Sequence, residues 1–221
     1  MSYHSRGMLI LGIDTSDLIG GVSLFEKNGV AVEKSMDAPL RHAENLLPLV
    51  EAILDENHRT KEDIERVSVH RGPGSFTGLR IGLAAAKGFC QARGIPLVGV
   101  DGMVAARWRL SDAHRVCVVM TSRRDLVYAQ RFTGDEAREP VRICRADELA
   151  AELLEEQREM VLVGSGAAKL AESVRVNELI RIAPEAYNRG SPLTIARLGS
   201  EPEREDQLYE LEPCYVESVL A

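Results

Sequence analysis

The chain has 221 residues, of which 45% are hydrophobic and 28% charged, an ordinary composition for a folded protein. Its formal net charge of −7 argues against a protein that holds a nucleic-acid backbone by itself, because such binding needs a basic surface. No stretch approaches the roughly 18 consecutive apolar residues of a membrane helix, and the cysteines form no Cys-x-x-Cys pair, which is typical of reduced thiols in the cytoplasm.

The first half of the chain alternates short apolar strands with amphipathic helices. The first residues, MSYHSRG, lack the apolar core of a signal peptide, so we interpret them as a short leader and Met8 as a candidate start. Residues 9–15 form a predicted strand, and 19–35 alternate around Asn28-Gly29, which predicts a hairpin and three antiparallel strands in all. The other predicted elements are helices over 42–56, 78–93 and 101–110 and strands over 65–72 and 97–100.

The second half of the chain shows the same alternation of strands and helices. Its predicted elements are a strand pair (115–121 and 126–134), a strand (141–144), a helix (146–157), a strand-turn-helix (160–167) and a helix (192–200). Two successive units of strands followed by helices predict a two-lobed α/β protein. We place an N-terminal lobe at 1–101 and a C-terminal lobe at 102–221, with the last residues as candidates for packing back on the first lobe.

The segment GPGSFTGLRIG, residues 72–82, opens the second predicted helix. It matches neither the Walker nor the dinucleotide-binding pattern, although a helix N-terminus after Gly74-Ser75 could attract an anion. Gly78, Gly82 and Ala86 recur every four residues, so they lie on one helix face that another helix can approach closely. Close packing would offset the roughly 1 kcal/mol that a helical glycine costs. Packing within the chain and packing against a partner both remain open.

The sequence offers no catalytic or metal site. None of the histidines (His4, His42, His58, His70 and His114) has metal-ligand spacing. Gly74-Ser75-Phe76-Thr77-Gly78 has Phe76 where a nucleophile elbow needs serine, so we interpret Ser75 and Thr77 as helix caps.

Two short polar stretches are candidates for nucleotide contact. Asp14, Thr15 and Ser16 follow the first strand, where a carboxylate and hydroxyls can hold a metal-bound phosphate. A capped strand end is the alternative. Gly164 and Gly166 form a tight strand-to-helix turn that could lie near a nucleotide base.

Three motifs together resemble the TsaB family, also called YeaZ-like. They are LGIDTS (11–16), RHAENLLP (41–48) and GPGSFTGLRIG (72–82), supported less specifically by VGSGA (163–167) and PCYV (213–216). The resemblance is clear over about residues 8–100. It implies the actin-like ATPase fold, with two lobes that are each a mixed sheet flanked by helices. It also implies a non-catalytic scaffold and activator of the transferase TsaD, which makes N6-threonylcarbamoyladenosine at position 37 of tRNAs that read codons starting with A.

The resemblance further implies the partners. The first two helices are expected to pack with the equivalent helices of TsaD, and a small ATPase, TsaE, joins the complex. Without TsaD, the same surface predicts a homodimer. No cofactor is expected to bind tightly, ATP or ADP would bind at an interface with TsaD, and tRNA would be reached only through the complex, with no membrane involved. The predicted partner-binding residues are His42, Leu46, Leu47, Val50, Ile53, Gly78, Leu79, Gly82, Leu83 and Ala86. If the helix face that carries Gly82 is intermolecular, a Gly82→Glu variant is expected to lose association and stay folded.

Two departures weaken an enzymatic interpretation. Ser16 stands where actin-like phosphate loops have glycine, and 121–128 (TSRRDLVY) lacks the Asp and Glu of the family's Asp-Ala-Arg and Glu-Val-Tyr. The alternative function is a free-standing nucleotide-binding ATPase or phosphotransferase of the same fold, with Asp14 organising magnesium. A peptidase would need a metal cluster or a nucleophile–base pair, and the sequence offers neither.

Overall fold

The computed structural model describes residues 7–36, 41–110 and 112–216, and these fall into two compact units. The first comprises the described residues up to Asp101 together with Ser191–Pro213, and the second comprises Gly102–Gly190 together with the described residues from Cys214. The prediction was a C-terminal lobe over residues 102–221, with the last residues as candidates for packing back on the first lobe. The structure differs, because residues 191–213 belong to the first unit.

The first unit is built on a five-stranded mixed sheet of order β3-β2-β1-β4-β5. The predicted antiparallel opening is confirmed, since β2 pairs antiparallel with both β1 and β3. The strand β4 pairs in parallel with both β1 and β5. The strands are β1 (Ile10–Asp14), β2 (Gly21–Phe25), β3 (Ala31–Ser35), β4 (Arg66–Gly72) and β5 (Leu97–Asp101). The helices of this unit are α1 (His42–Glu56), α2 (Phe76–Arg93) and, later in the chain, α6 (Pro192–Gly199).

Helices cover both faces of this sheet. Ile13 belongs to the hydrophobic core that Leu46 of α1 and Leu83 of α2 also enter. Its neighbour Gly12 faces the other way, because a Cβ there would lie 2.3 Å from the carbonyl oxygen of Pro192 in α6. Since successive strand residues point to opposite faces, α1 and α2 cover one face and α6 the other.

The segment after α6 borders the edge strand β5. The Gln207 amide donates to the Leu97 carbonyl at 2.8 Å, and the Leu97 amide donates to an Asp206 carboxylate oxygen at 2.9 Å. The Gly99 amide donates to the side chain of Gln207 at 2.9 Å. These bonds satisfy backbone groups at the sheet edge and explain why this late stretch folds with the first unit.

The second unit contains a six-stranded sheet of order β11-β10-β6-β7-β8, with β9 paired to β7. The predicted strand pair is confirmed as the antiparallel β6–β7 hairpin. The strands β8 and β11 were not predicted, because two and three residues are too few to show a period. The helix predicted after the turn at 164–166 is formed by the short helical segments Ala167–Leu170 and Ala171–Val174. The strands are β6 (Arg115–Thr121), β7 (Leu126–Thr133), β8 (Glu136–Ala137), β9 (Arg142–Arg145), β10 (Met160–Val163) and β11 (Ile180–Ile182). The helices are α3 (Gly102–Trp108), α4 (Ala146–Glu155) and α5 (Ala171–Val174).

Three of the cysteines act as small core residues. Cys90, Cys117 and Cys144 are buried, and Cys214 is partly exposed. Burial raises the pKa of Cys90 and of Cys117 to about 12, so both thiols stay protonated at neutral pH. Within the described ranges, no helix combines the length and apolarity needed to cross a bilayer.

Candidate functional site

The glycine-rich segment forms the turn from β4 into α2. The Ser75 hydroxyl accepts a hydrogen bond from the Gly78 amide at 3.2 Å, which confirms Ser75 as the N-cap, whereas Thr77 lies exposed in the first turn. The Ser75 amide donates to the Ser16 carbonyl at 2.7 Å, and a Cβ on Gly74 would lie 2.5 Å from that same oxygen. Gly74 therefore allows the β1–β2 loop to approach the turn.

The next two glycines face Thr15 of the same chain. A Cβ on Gly78 would lie 2.0 Å from the Thr15 carbonyl oxygen, and a Cβ on Gly82 would lie 2.2 Å from Thr15 Oγ1. The Thr15 hydroxyl donates to the Gly78 carbonyl at 2.8 Å, and this bond is buried. Of the two interpretations left open by the sequence, the structure shows packing within the chain at these positions.

This finding corrects most of the predicted partner-binding set. Nine of the ten residues are buried in the first unit, so their side chains are not available at its surface. Only Leu47 is exposed, at 57%. The physical reason is helical periodicity, because residues four apart share a face, and the face chosen for contact is the one that packs on the sheet. The buried residues are His42, Leu46, Val50, Ile53, Gly78, Leu79, Gly82, Leu83 and Ala86.

Other apolar side chains lie exposed near the start of both helices. We call Leu18, Ile19, Leu47 and Phe76 the apolar surface group; their exposed fractions are 57%, 47%, 57% and 54%. Of these four, only Leu47 was among the predicted partner-binding residues. A signal was present for two of the other three, because Leu18 and Ile19 interrupt a polar loop. Phe76 gave none, because it lies three residues before buried Leu79 and seven before buried Leu83 and so shares their helix face.

Polar contacts tie the loop of this group to α1. His42 Nε2 donates to the Asp17 carbonyl at 2.9 Å, and its Nδ1 lies 3.2 Å from the sulfur of Met36. A Cβ on Gly20 would lie 3.0 Å from that Nδ1. His42 is thus a buried residue that holds residues 17–20 against the first turn of α1, and its side chain is not available for contact with a partner.

The stretch Asp14–Ser16 has the geometry of a capped strand end. Asp14 is 4% exposed, and its Oδ1 accepts hydrogen bonds from the amide and the hydroxyl of Ser16, at 3.0 and 2.7 Å. Thr15 is buried and directed at α2. All three candidate phosphate contacts therefore have partners within the chain.

Gly164 and Gly166 form a tight turn in the second unit. Gly164 has a φ of 110°, a conformation that favours glycine, and its amide donates to the Asn188 side chain at 3.1 Å. The Gly166 amide donates to the Val119 carbonyl at 2.9 Å. Gly164 is thus favoured by its backbone conformation, and Gly166 by close approach, since a Cβ there would lie 2.9 Å from the carbonyl carbon of Met120.

Among the described residues, no group of three or more His, Cys, Asp or Glu side chains could hold a metal ion. His4 lies outside the described residues.

The chain is similar in sequence to proteins that are named for the modification of tRNA. Residues 36–142 match the family model described as TsaD, tRNA N6-adenosine threonylcarbamoyltransferase. The chain is 34% identical over 132 residues to the tRNA threonylcarbamoyladenosine biosynthesis protein TsaB of Escherichia coli, covering 58% of this chain and 57% of that protein. It is 32% identical over 123 residues to TsaB of Bacillus subtilis, covering 55% and 53%. The chain is a relative of the TsaB (YeaZ) proteins. It spans a little over half the length of these two curated relatives.

The fold agrees with that relationship. The structure of YeaZ from Pseudomonas aeruginosa matches with a TM-score of 0.75 at 23% identity, covering 95% of this chain and 100% of that one. The (R)-2-hydroxyglutaryl-CoA dehydratase component A of Acidaminococcus fermentans matches with a TM-score of 0.52 at 11% identity, covering 87% and 98%. The predicted actin-like ATPase fold is confirmed, with a mixed sheet flanked by helices in each unit.

Residues 121–128, which depart from the TsaB pattern, contain the turn that joins β6 to β7. The Thr121 amide donates to the Ser165 hydroxyl at 3.1 Å. The Ser122 amide donates to the Leu126 carbonyl at 3.2 Å, and the Leu126 amide donates to the Arg123 carbonyl at 3.0 Å. The turn is therefore closed on itself and presents two adjacent arginines, Arg123 and Arg124, both exposed.

Proposed function

We propose that this TsaB relative is an accessory subunit that binds a TsaD-type transferase and activates it. The reaction is the formation of N6-threonylcarbamoyladenosine at position 37 of tRNAs that read codons starting with A, in the cytoplasm. The observation that carries the proposal is the similarity to the E. coli and B. subtilis TsaB proteins, at 34% and 32% identity, both named for biosynthesis of this modified nucleoside. The proposal assigns the chain no catalytic residue of its own.

The surface proposed for TsaD is the exposed side of α1 and α2. Large apolar side chains that cluster on a protein surface are typical of interaction sites, and the apolar surface group lies on or beside the N-terminal halves of these two helices. On Phe76, the guanidinium of Arg80 stacks 3.8 Å from the ring centroid, so the edge of this surface carries a positive charge. The buried faces of the same helices would remain packed on the sheet.

The remaining partners follow from the same proposal. A TsaE-type ATPase joins the complex, the isolated chain forms a homodimer through the same surface, and tRNA is bound by the complex rather than by this chain alone. Nucleotide does not bind the isolated chain tightly, and ATP or ADP binds at an interface with TsaD. The hydrogen bonds from Ser16 to Asp14 support this, because the carboxylate that would organise magnesium already has partners.

Size-exclusion chromatography with light scattering tests the interface, using the chain with and without its cognate TsaD. The wild type is expected to form a stable heteromer. Leu47→Glu and Phe76→Glu should each weaken it at least tenfold, about 1.4 kcal/mol, because each places a charge in an apolar contact. Val176→Glu is the control, since Val176 is 84% exposed and lies in the second unit. No heteromer with the wild type, or equal loss with the control variant, would contradict the proposal.

The cellular role is tested by depleting the chain and measuring the modified nucleoside in digested tRNA by mass spectrometry. N6-threonylcarbamoyladenosine should fall in the depleted cells and return with the wild-type gene. Restoration by Val176→Glu but not by Leu47→Glu would connect the interface to the modification. An unchanged level of the nucleoside after depletion would refute the role.

A further inference from the structure

A cavity of about 340 Å³ lies in the second unit, beside the turn of the β6–β7 hairpin. This volume is at the small end of the range for ligand pockets. The cavity is formed by that turn, the first residues of α4 and the short helices that follow β10. Its polar lining comes from Arg124, Asp125, Arg145, Asp147, Lys169 and Ser173.

The charges in this cavity are unlike those of the whole chain. Three cationic side chains face two carboxylates, whereas the chain as a whole carries a net charge of −7. Arg145 engages Asp147 through two hydrogen bonds of 3.0 Å, from Nε and from Nη2, so these two charges compensate each other. In the part of the chain that the structure describes, neither Arg124 nor Lys169 forms an ion pair. Asp125 opposes one of these two remaining cations, so the lining as a whole carries one more positive than negative charge.

Hydrogen bonds hold the backbone around Arg124 in place. Lys169 Nζ donates to the carbonyls of Arg124 and Leu126, at 2.6 and 3.1 Å. The Ala146 amide, at the start of α4, donates to the Asp125 carbonyl at 2.9 Å. Arg124 itself has a φ of 50°, which is uncommon for a residue other than glycine. The turn thus keeps a long cationic side chain at the cavity in a backbone conformation that costs free energy.

We infer that this cavity binds phosphate groups, carried either by an RNA backbone or by a free polyphosphate. A guanidinium donates two parallel hydrogen bonds to phosphate oxygens, which is the chemistry that Arg124 offers. Lys169 adds a positive charge whose carbonyl partners do not neutralise it, and Ser173 adds a hydroxyl donor at the rim. The inference goes beyond the proposed function, which assigns tRNA binding to the complex and no phosphate contact to this unit.

The first experiment titrates inorganic pyrophosphate into the isolated chain by calorimetry at low salt. Arg124→Gln removes the charge and should weaken pyrophosphate binding at least fivefold, and Arg124→Lys should retain part of it. Arg158→Gln is the matched control. Arg158 is exposed and follows the C-terminal end of α4, and that helix of 10 residues places it about 15 Å from the cavity. This control should bind like the wild type.

The second experiment measures tRNA binding by the complex of this chain with its cognate TsaD, as a function of salt. If the phosphate belongs to RNA, Arg124→Gln should weaken binding several-fold and reduce the slope of log K against log salt by about 1. Loss of pyrophosphate binding with unchanged tRNA binding would assign the cavity to a free polyphosphate. If Arg124→Gln affects neither ligand, or Arg158→Gln matches it in both, the inference is overturned. The pyrophosphate measurement needs no TsaD, so its outcome is independent of the proposed function.

Discussion

Adding a methyl group at Gly82 should destabilise the isolated chain. The new Cβ would lie 2.2 Å from Thr15 Oγ1, and that hydroxyl cannot easily move because it donates to the Gly78 carbonyl. Overpacking of this kind costs about 1–3 kcal/mol, against a gain of about 1 kcal/mol from replacing a helical glycine with alanine. We therefore expect Gly82→Ala to lower the free energy of unfolding by about 1 kcal/mol.

A matched control lies on the same helix. A Cβ on Gly88 would meet no atom within 4 Å, so Gly88→Ala should raise the free energy of unfolding by up to about 1 kcal/mol. Urea denaturation followed by circular dichroism measures both variants. The two substitutions are chemically identical, and their opposite signs would isolate the contact with Thr15.

Removing the Thr15 hydroxyl should reduce the cost of Gly82→Ala but not that of Gly78→Ala. In a Thr15→Ala background, the atom that opposes a Cβ at Gly82 is gone, so Gly82→Ala should cost about 1 kcal/mol less than in the wild type. Gly78→Ala should not be rescued, because its obstacle is the Thr15 carbonyl oxygen at 2.0 Å, which the substitution leaves in place. Additive effects of Thr15→Ala and Gly82→Ala, or a Gly82→Ala that stabilises the chain as much as Gly88→Ala does, would refute the packing argument. The expectation that Gly82→Glu loses association and stays folded required an intermolecular face; because Gly82 is buried against Thr15 of the same chain, this variant should instead unfold the chain.

The ion pairs of Glu26 and of Glu152 yield further predictions. Arg59 donates to Glu26 at 2.6 Å, and their side chains are only 18% and 6% exposed. Arg59→Met should lower the free energy of unfolding by about 3 kcal/mol, because it leaves the buried charge of Glu26 unpaired. In urea denaturation, the double variant Arg59→Met with Glu26→Gln should recover part of that loss. In the second unit, hydrogen bonds from Arg142 and then Arg131 lower the pKa of Glu152 from its ordinary value of 4.5. Because the folded-state pKa is the lower one, the stabilisation is present above pH 4.5 and is lost as the pH falls through the folded-state pKa. The difference in urea midpoint between the wild type and Glu152→Gln should therefore be largest near neutral pH and shrink on acidification, and a difference that grows in acid would contradict this assignment.

Much of the fold could be predicted because its signals are local. Asn28 has a φ of 65°, the conformation that an Asn-Gly hairpin turn requires. Ser75 caps α2, and Gly94, with a φ of 64°, ends it. Each of these features depends on residues a few positions apart, so the strands, helices and turns of the first unit follow from the sequence with boundaries shifted by only a few residues.

The candidate site could be predicted only in part. The motifs identified the TsaB relationship, but the stripe of Gly78 and Gly82 is compatible with any close neighbour, whether from the same chain or another. The phase of α1 was also readable: its buried residues recur at His42, Leu46, Val50, Ile53 and Leu54, which leaves the adjacent Leu47 outside that face.

Only the tertiary structure decided which residues pack against each face of the helices and the sheet. It brought Thr15 against α2 through a hydrogen bond that spans 63 positions, and it returned α6 to the first sheet through the Ser23–Pro192 bond, which spans 169. Contacts between residues so far apart produce no periodic pattern in the sequence, because they form only once the strands have assembled into the sheet. The local pattern therefore determined the elements and the family resemblance, and only the assembled core decided which of their faces remain free for a partner.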